Sequence, residues 1–215
     1  MNKVRIGVLL VLALSTLLVG CESPAPNKAS LEYSQDLYDS CAPCHGASGE
    51  GNQEVGAPAI AGLERWYVKR QLRGFKAGYR GWHADDLGGK RMEPMARALD
   101  TDEKVDLISA YVASLPPANP PATLEGGNPD TGKIYFATCV QCHGANGRGN
   151  LDEFGPPLVG ASDWYLMTQL ANFKAGIRGT HPGDVTGAKM RPISMTLANE
   201  QAMKDVIAYI GSLSD

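Results

Sequence analysis

The sequence is short of positive charge, of spare cysteines and of any apolar run long enough to cross a bilayer. Lys and Arg number 20 against 23 Asp and Glu, a formal net charge of −3 over 215 residues. That balance excludes the basic face that nucleic acid would require as a partner. The apolar stretch Ile6 to Val19 falls below the roughly 20 residues of a membrane-spanning helix. With Lys3 and Arg5 in front and Cys21 directly behind, it reads as an export signal, to be set aside before the fold is considered. Of the five cysteines, the other four fall into two pairs, Cys41/Cys44 and Cys139/Cys142, and none is left over.

What is present is one unit written twice. Cys41 and Cys139, His45 and His143, Trp66 and Trp164, and Tyr111 and Tyr209 all lie 98 positions apart. Leu72/Leu170, Phe75/Phe173, Lys76-Ala77-Gly78/Lys174-Ala175-Gly176, Arg80/Arg178, His83/His181, Met92/Met190 and Pro94/Pro192 keep the same offset. The chain is therefore a gapless tandem duplication. Pro116-Pro117-Ala118-Asn119-Pro120-Pro121 between the copies forbids helix and favours an extended connector. The expected organisation is signal 1–20, tether 21–29, domain 30–117, linker 118–127 and domain 128–215.

Within each copy the pattern is helical. Val105, Ile108, Val112 and Leu115 recur at helix spacing behind Asp100 or Thr101, and Val206, Tyr209, Ile210 and Leu213 repeat this behind Asn199. A second helix is predicted from Trp66 through Phe75 and from Trp164 through Phe173, and a shorter one leads into each cysteine pair. Gly- and Pro-rich loops fill the rest, including Gly46 to Pro58 and Gly144 to Pro157. A half-loop unit of this size has too little core to fold without a staple or a large apolar cofactor.

Cys41-Ala42-Pro43-Cys44-His45 and Cys139-Val140-Gln141-Cys142-His143 are both Cys-x-x-Cys-His, the pattern for attaching haem through two thioethers. On one helical turn two sulfurs reach the two vinyl positions of the porphyrin while the adjacent histidine offers its imidazole to the iron. A dithiol enzyme would need a strand–helix context, and zinc further Cys or His at ligand spacing. The sequence has neither. For the sixth iron position two duplicated pairs compete. Met92 and Met190 would raise the reduction potential, and His83 and His181 would lower it. Met95 and Met195 are not retained in both copies.

The chain resembles the dihaem cytochrome c4 family, two tandem class I cytochrome c domains, over nearly everything after the tether. The paired Cys-x-x-Cys-His-Gly runs carry the likeness, with Pro58-Ala59-Ile60-Ala61-Gly62 and Pro156-Pro157-Leu158-Val159-Gly160, Gln71-Leu72 and Gln169-Leu170, the Met92 to Met95 run and the closing Ala-Tyr helices. The resemblance implies an all-α fold and two haem c groups, held by Cys41, Cys44, Cys139 and Cys142. His45 and Met92 would ligate one iron, His143 and Met190 the other. It also implies that the carbonyls of Pro58 and Pro156 orient the proximal histidines. Leu18-Val19-Gly20-Cys21 is similar to a bacterial lipobox, which implies lipid on Cys21 and a periplasmic, membrane-attached protein. The Arg-Gly-x-His inserts at Arg80 to His83 and Arg178 to His181 depart from the family; their arginines would either neutralise haem propionates or stand as solvated loop charges.

The expectation is a non-enzymatic carrier that passes single electrons from a quinol-oxidising complex or donor cytochrome to a terminal oxidase or reductase, with no small-molecule substrate. Alternatives are a fixed cytochrome subunit of an oxidase complex and a dihaem enzyme. A peroxidase-like enzyme would need an open iron position, and a thiosulfate-oxidising one would be expected to show a cysteine ligand, for which no cysteine remains.

Overall fold

Ten helices follow one another in the computed structural model, which describes residues 28–213. The signal, Cys21 and most of the tether lie outside the described residues. Domain 1 contains α1 (Lys28–Tyr38), α2 (Ala42–His45), α3 (Arg65–Lys76), α4 (Leu87–Ala98) and α5 (Asp102–Ser114). Domain 2 repeats them as α6 (Pro129–Phe136), α7 (Val140–His143), α8 (Asp163–Ala175), α9 (Val185–Thr196) and α10 (Glu200–Ser212). Among the described residues no strand forms; only the isolated bridges Asn52–Ala57 and Asn150–Gly155 pin the loops. The all-α expectation is met. Among these residues, too, no helix is long and apolar enough to cross a membrane. The first helix starts at Lys28, inside the stretch expected as tether.

The helices begin where the sequence supplies side-chain acceptors for otherwise unpaired N–H groups. Thr101 Oγ1 accepts from Lys104 N at 3.1 Å, and Asn199 Oδ1 from Ala202 N at 3.0 Å, fixing the starts of α5 and α10. Asn128 caps α6 through Thr131 N, with Pro129 at the first helical position, where its missing N–H costs nothing. In domain 1 the core gathers Tyr38, Leu99, Val105, Ile108 and Val112; in domain 2 it gathers Phe136, Leu197, Met203, Val206, Ile207 and Ile210. The N- and C-terminal helices of each domain cross, α1 on α5 and α6 on α10. The second crossing is so close that a Cβ on Gly132 would lie 1.9 Å from the Asp205 carbonyl oxygen.

Helices α4 and α9 stand where loop was expected. Gly88-Gly89 and Pro94 read as breakers, yet Asp86 caps α4 by accepting from Gly89 N at 3.0 Å, and Asp184 caps α9 through Gly187 N at 2.9 Å. The glycines are needed for that approach: a Cβ on Gly89 would meet Asp86 Oδ2 at 2.3 Å, and one on Gly187 would meet Asp184 Oδ2 at 2.0 Å. Pro94 and Pro192 forfeit one backbone hydrogen bond each inside these helices. At the far end of α4 and α9, Lys76 Nζ donates to the Leu99 (2.5 Å) and Asp100 (3.1 Å) carbonyls, and Lys174 Nζ to those of Leu197 and Ala198. A cation is thus held against each helix C-terminus.

The linker is extended and packed. Ala118 N donates to the Ala61 carbonyl, Thr123 and Leu124 donate backbone N–H groups to Asp163, and Gln201 Nε2 reaches the Gly126 carbonyl.

Candidate functional site

Each Cys-x-x-Cys-His run forms a single helical turn, α2 or α7, closed by bonds from His45 N to the Cys41 carbonyl (2.9 Å) and from His143 N to the Cys139 carbonyl (2.8 Å). Residues spaced 0, 3 and 4 along such a turn share one face, so both sulfurs and the imidazole point the same way. The four cysteines are unbridged. Gly46 and Gly144, with φ of 82° and 77°, then turn the chain into the loop. The loop folds back until the Pro58 carbonyl lies 2.9 Å from His45 Nδ1 and the Pro156 carbonyl 2.8 Å from His143 Nδ1. Gly51 and Gly149 allow that return: both have positive φ, and a Cβ on Gly51 would sit 2.4 Å from Ala59 N.

These bonds fix the chemistry of the two rings. A carbonyl only accepts, so each Nδ1 carries the proton and donates it. Burial depresses both histidine pKa values and outweighs the opposing effect of the carbonyl bond, so both rings are neutral. Each Nε2 therefore holds a free lone pair, the state in which imidazole binds a metal. The rings are only 7% and 5% exposed. His143 and Met190 of α9 line one apolar cleft, together with Cys139, Leu158, Leu166, Leu170, Leu197 and Val206. Met92 occupies the same place on α4 and is half-buried, whereas Met95 and Met195 are 40% and 61% exposed.

The duplicated loop histidines take up hydrogen bonds of their own. His83 Nδ1 accepts from Asp85 N at 3.2 Å, and His181 Nδ1 from Gly183 N at 2.9 Å. Tyr79 stacks on His181 with ring centroids 4.9 Å apart, and Trp82 meets it edge-on at 4.8 Å, tying one domain's loop to the other's.

Arg80 and Arg178 are not solvated loop charges. They are 5% and 8% exposed, and each lies over a phenylalanine of its own domain, Phe75 at 4.4 Å and Phe173 at 4.5 Å. Arg80 Nη1 donates to Gln71 Oε1 at 2.5 Å and Arg178 Nη1 to Gln169 Oε1 at 2.6 Å. Burial works against the charge of Arg80, but Tyr165, Tyr67 and Asp86 more than restore it. Sequence reasoning missed the Gln–Arg pairing, although the nine-residue spacing is duplicated. It also missed Arg70, which packs among Trp66, Tyr67 and Phe154 and donates to the Phe154 carbonyl at 3.1 Å. Neither Arg70 nor Phe154 has a matching residue in the other copy. A φ of 57° at Phe154, alone among the described non-glycine residues, could not have been read from the sequence.

Two thiols and a neutral buried imidazole on one helical turn, and in domain 2 a thioether lining the same apolar cleft as the imidazole, form a donor set that would suit a covalently attached porphyrin iron. Comparison with known proteins agrees. The cytochrome c family model matches residues 31–116 and again 130–214. The thiosulfate dehydrogenase electron acceptor of Stutzerimonas stutzeri is 32% identical over 181 residues, covering 80% of this chain and 79% of that protein. Cytochrome c-552 of Acidithiobacillus ferridurans is 31% identical over 216 aligned residues, covering 96% of this chain and 84% of that protein. The crystal structure of reduced cytochrome c4 from Pseudomonas stutzeri superposes with a TM-score of 0.63 at 26% identity, covering 84% of this chain and 96% of the other.

Proposed function

The chain belongs to the cytochrome c family, as an electron-transfer cytochrome with two tandem domains for two haem c groups, and on that premise we propose how its residues divide the work. Cys41 and Cys44 would bond one haem, Cys139 and Cys142 the other; His45 and His143 would be the proximal ligands, with Met92 and Met190 as the second ligands. The bound iron supplies one-electron oxidation and reduction. The protein supplies the rest: Pro58 and Pro156 hold each imidazole by its Nδ1–H, the apolar walls keep water from the iron, and the thioethers favour the ferrous state and raise the potential. The observation that carries this reading is the repeated histidine-to-proline carbonyl bond, 2.9 and 2.8 Å, together with the apolar cleft of domain 2 that His143 and Met190 line in common.

With Met92 and Met190 as ligands beside His45 and His143, neither iron would be left open to a substrate, which supports a carrier over an enzyme. The export-signal pattern and the likeness of Leu18-Val19-Gly20-Cys21 to a lipobox support a periplasmic protein held to the membrane by lipid on Cys21. Its partners are redox proteins met transiently, a quinol-oxidising complex or donor cytochrome on one side and a terminal oxidase or reductase on the other. A second reading rests on the Stutzerimonas relative: the donor is a dehydrogenase of small sulfur compounds and this chain its electron acceptor.

Optical spectra of the purified holoprotein test the assignment. Two low-spin haems with a methionine-to-iron charge-transfer band and no carbon monoxide binding after reduction are expected; a high-spin signal or ready gas binding would favour an enzyme. Met190→Ala should abolish half of that band and open the iron of domain 2, and Met92→Ala should do the same in domain 1. Met95→Ala and Met195→Ala should leave both sites unchanged. Loss of the band in either of these last two would mean that the wrong sulfurs were chosen.

A further inference from the structure

The two domains cap the helix that carries the duplicated methionine in different ways. In domain 1 both oxygens of the cap are used: Asp86 Oδ1 accepts from Gly89 N at 3.0 Å and Oδ2 from Gly81 N at 2.8 Å. In domain 2 Asp184 Oδ1 accepts from Gly187 N at 2.9 Å, but Oδ2 is buried without a partner, so Gly179, the counterpart of Gly81, does not reach it. Met190 follows within two turns on the same helix. A buried carboxylate oxygen left bare is costly and calls for a donor.

The donor with free valences belongs to the other domain. Arg70 on α3 donates from Nη2 to the Phe154 carbonyl at 3.1 Å, while its Nε and Nη1 are buried without an acceptor. Burial lowers the Arg70 pKa from its ordinary value; Tyr67 opposes that, Arg178 adds to it and Asp184 opposes it, so the Asp184 charge is felt at this guanidinium. The two side chains form no direct hydrogen bond. One water, accepting from a guanidinium and donating to a carboxylate, satisfies both. Arg191 also has a buried Nε without an acceptor, but it stands about two turns further down α9, with its Nη2 against Gly176 at the end of α8.

We propose that Arg70 of domain 1 is a positioning residue for the iron ligand of domain 2: through a bridging water it holds Asp184 Oδ2, completes the cap of α9 and so fixes the helix that presents Met190. The inference rests on the reading of Met190 as a ligand and deepens it. Domain 1 needs no such help, because Gly81 closes its cap from within. Where domain 1 has Arg70, domain 2 has Thr168, whose hydroxyl donates to the Trp164 carbonyl of its own helix.

Amide hydrogen exchange of the full-length holoprotein reads the cap directly. In Arg70→Met, which keeps apolar bulk but no donor, protection of the Gly187 amide should fall about ten-fold, the equivalent of one hydrogen bond, and that of Gly89 should not change. Arg70→Lys should recover part of the loss. Asp184→Asn, whose remaining oxygen still caps α9, should lower Gly187 protection to the same extent, and adding Arg70→Met should lower it no further. Arg191→Met should leave it unchanged. The consequence for the iron is read in a Met92→Ala background, where the remaining methionine-to-iron charge-transfer band is that of domain 2. There Arg70→Met should let imidazole displace Met190 at about ten-fold lower concentration. In a Met190→Ala background the domain 1 band should keep its imidazole dependence, which a merely structural role of Arg70 in its own domain would alter. An unchanged Gly187 amide in Arg70→Met, additive losses in the double variant, or an equal loss at Gly89 would overturn the proposal. A Met92→Ala parent with no band counts against Met190 as ligand and not against the Arg70–Asp184 contact, which the amide readout decides by itself.

Discussion

Arg65, Lys69 and Arg73 stand one turn apart on α3 and reach Asp106 (2.5 and 2.7 Å) and Asp102 (3.1 Å) on α5, so the seam between these helices in domain 1 is ionic. The same positions on α8 hold Asp163, Met167 and Ala171, and Lys204 on α10 replaces Asp106. Met167 packs on the domain 2 core, and Lys204 turns to Glu200 on its own helix. One helix pair is therefore joined by charge and its copy by apolar contact, while the histidine–proline bonds inside both domains differ by only 0.1 Å. Duplication has kept what positions the imidazole and let the outside drift. The crossing of the terminal helices has drifted as well: Gly132 of domain 2 corresponds to Ser34 of domain 1, whose hydroxyl donates to the Ser30 carbonyl at 2.6 Å.

The largest expected break between the halves is at that crossing. Gly132→Ala drives a methyl into the Asp205 carbonyl and should destabilise domain 2 by about 3 kcal/mol. Ser34→Ala, which loses one hydrogen bond, should cost domain 1 about 1 kcal/mol. Thermal unfolding of the two holoprotein variants checks the pair; equal losses would refute the difference in packing. The caps should behave alike instead. Thr101→Ala and Asn199→Ala should each cost about 1 kcal/mol, seen as matching losses of amide protection in α5 and α10.

The smallest effect concerns the seam. Hydrogen bonds from Lys69 and Arg65 hold the Asp106 carboxyl below the usual carboxylate range. A depressed carboxyl stabilises the fold above its unfolded pKa, and that contribution fades as pH falls through the lower folded value. Its partners are a third to a half exposed, so Asp106→Asn should cost below about 1 kcal/mol and less still in high salt. Hydrogen exchange should show α5 losing protection below about pH 4, the ordinary carboxylate range, and in about 1 M salt, where the screening length is short, with α10, which carries only the Lys204–Glu200 pair within itself, less affected by salt. Equal salt sensitivity in both helices would remove the contrast.

Much of this was legible in the sequence. Helices α3, α5, α8 and α10 follow from apolar spacing, and Thr101 and Asn199 cap as their residue types suggest. Cys-x-x-Cys-His dictates its own turn because one helical turn is the shortest path that sets those three side chains on one face. Helices α4 and α9 were hidden: Gly88-Gly89 and Pro94 are breakers by local preference, and only the approach of Asp86 to Gly89 reverses their meaning. For Arg80 and Arg178 the sequence left two readings open, propionate partners or solvated loop charges, and burial removes the second. Their acceptors, Gln71 and Tyr165, lie in part across the domain border, and no local pattern announces a contact 107 residues away. The linker prolines predict a connector without helix, and residues 116–127 form none, but its anchoring on Asp163 was not legible.

The central claim is that each half of the chain bonds one haem through its own cysteine pair. Cleavage after Lys and Arg followed by peptide mass analysis tests this directly. The peptide containing Cys41 to His45 and the one containing Cys139 to His143 should each carry one added haem mass, in equal yield. Recovery of either peptide with free or disulfide-linked cysteines and no haem would contradict the account.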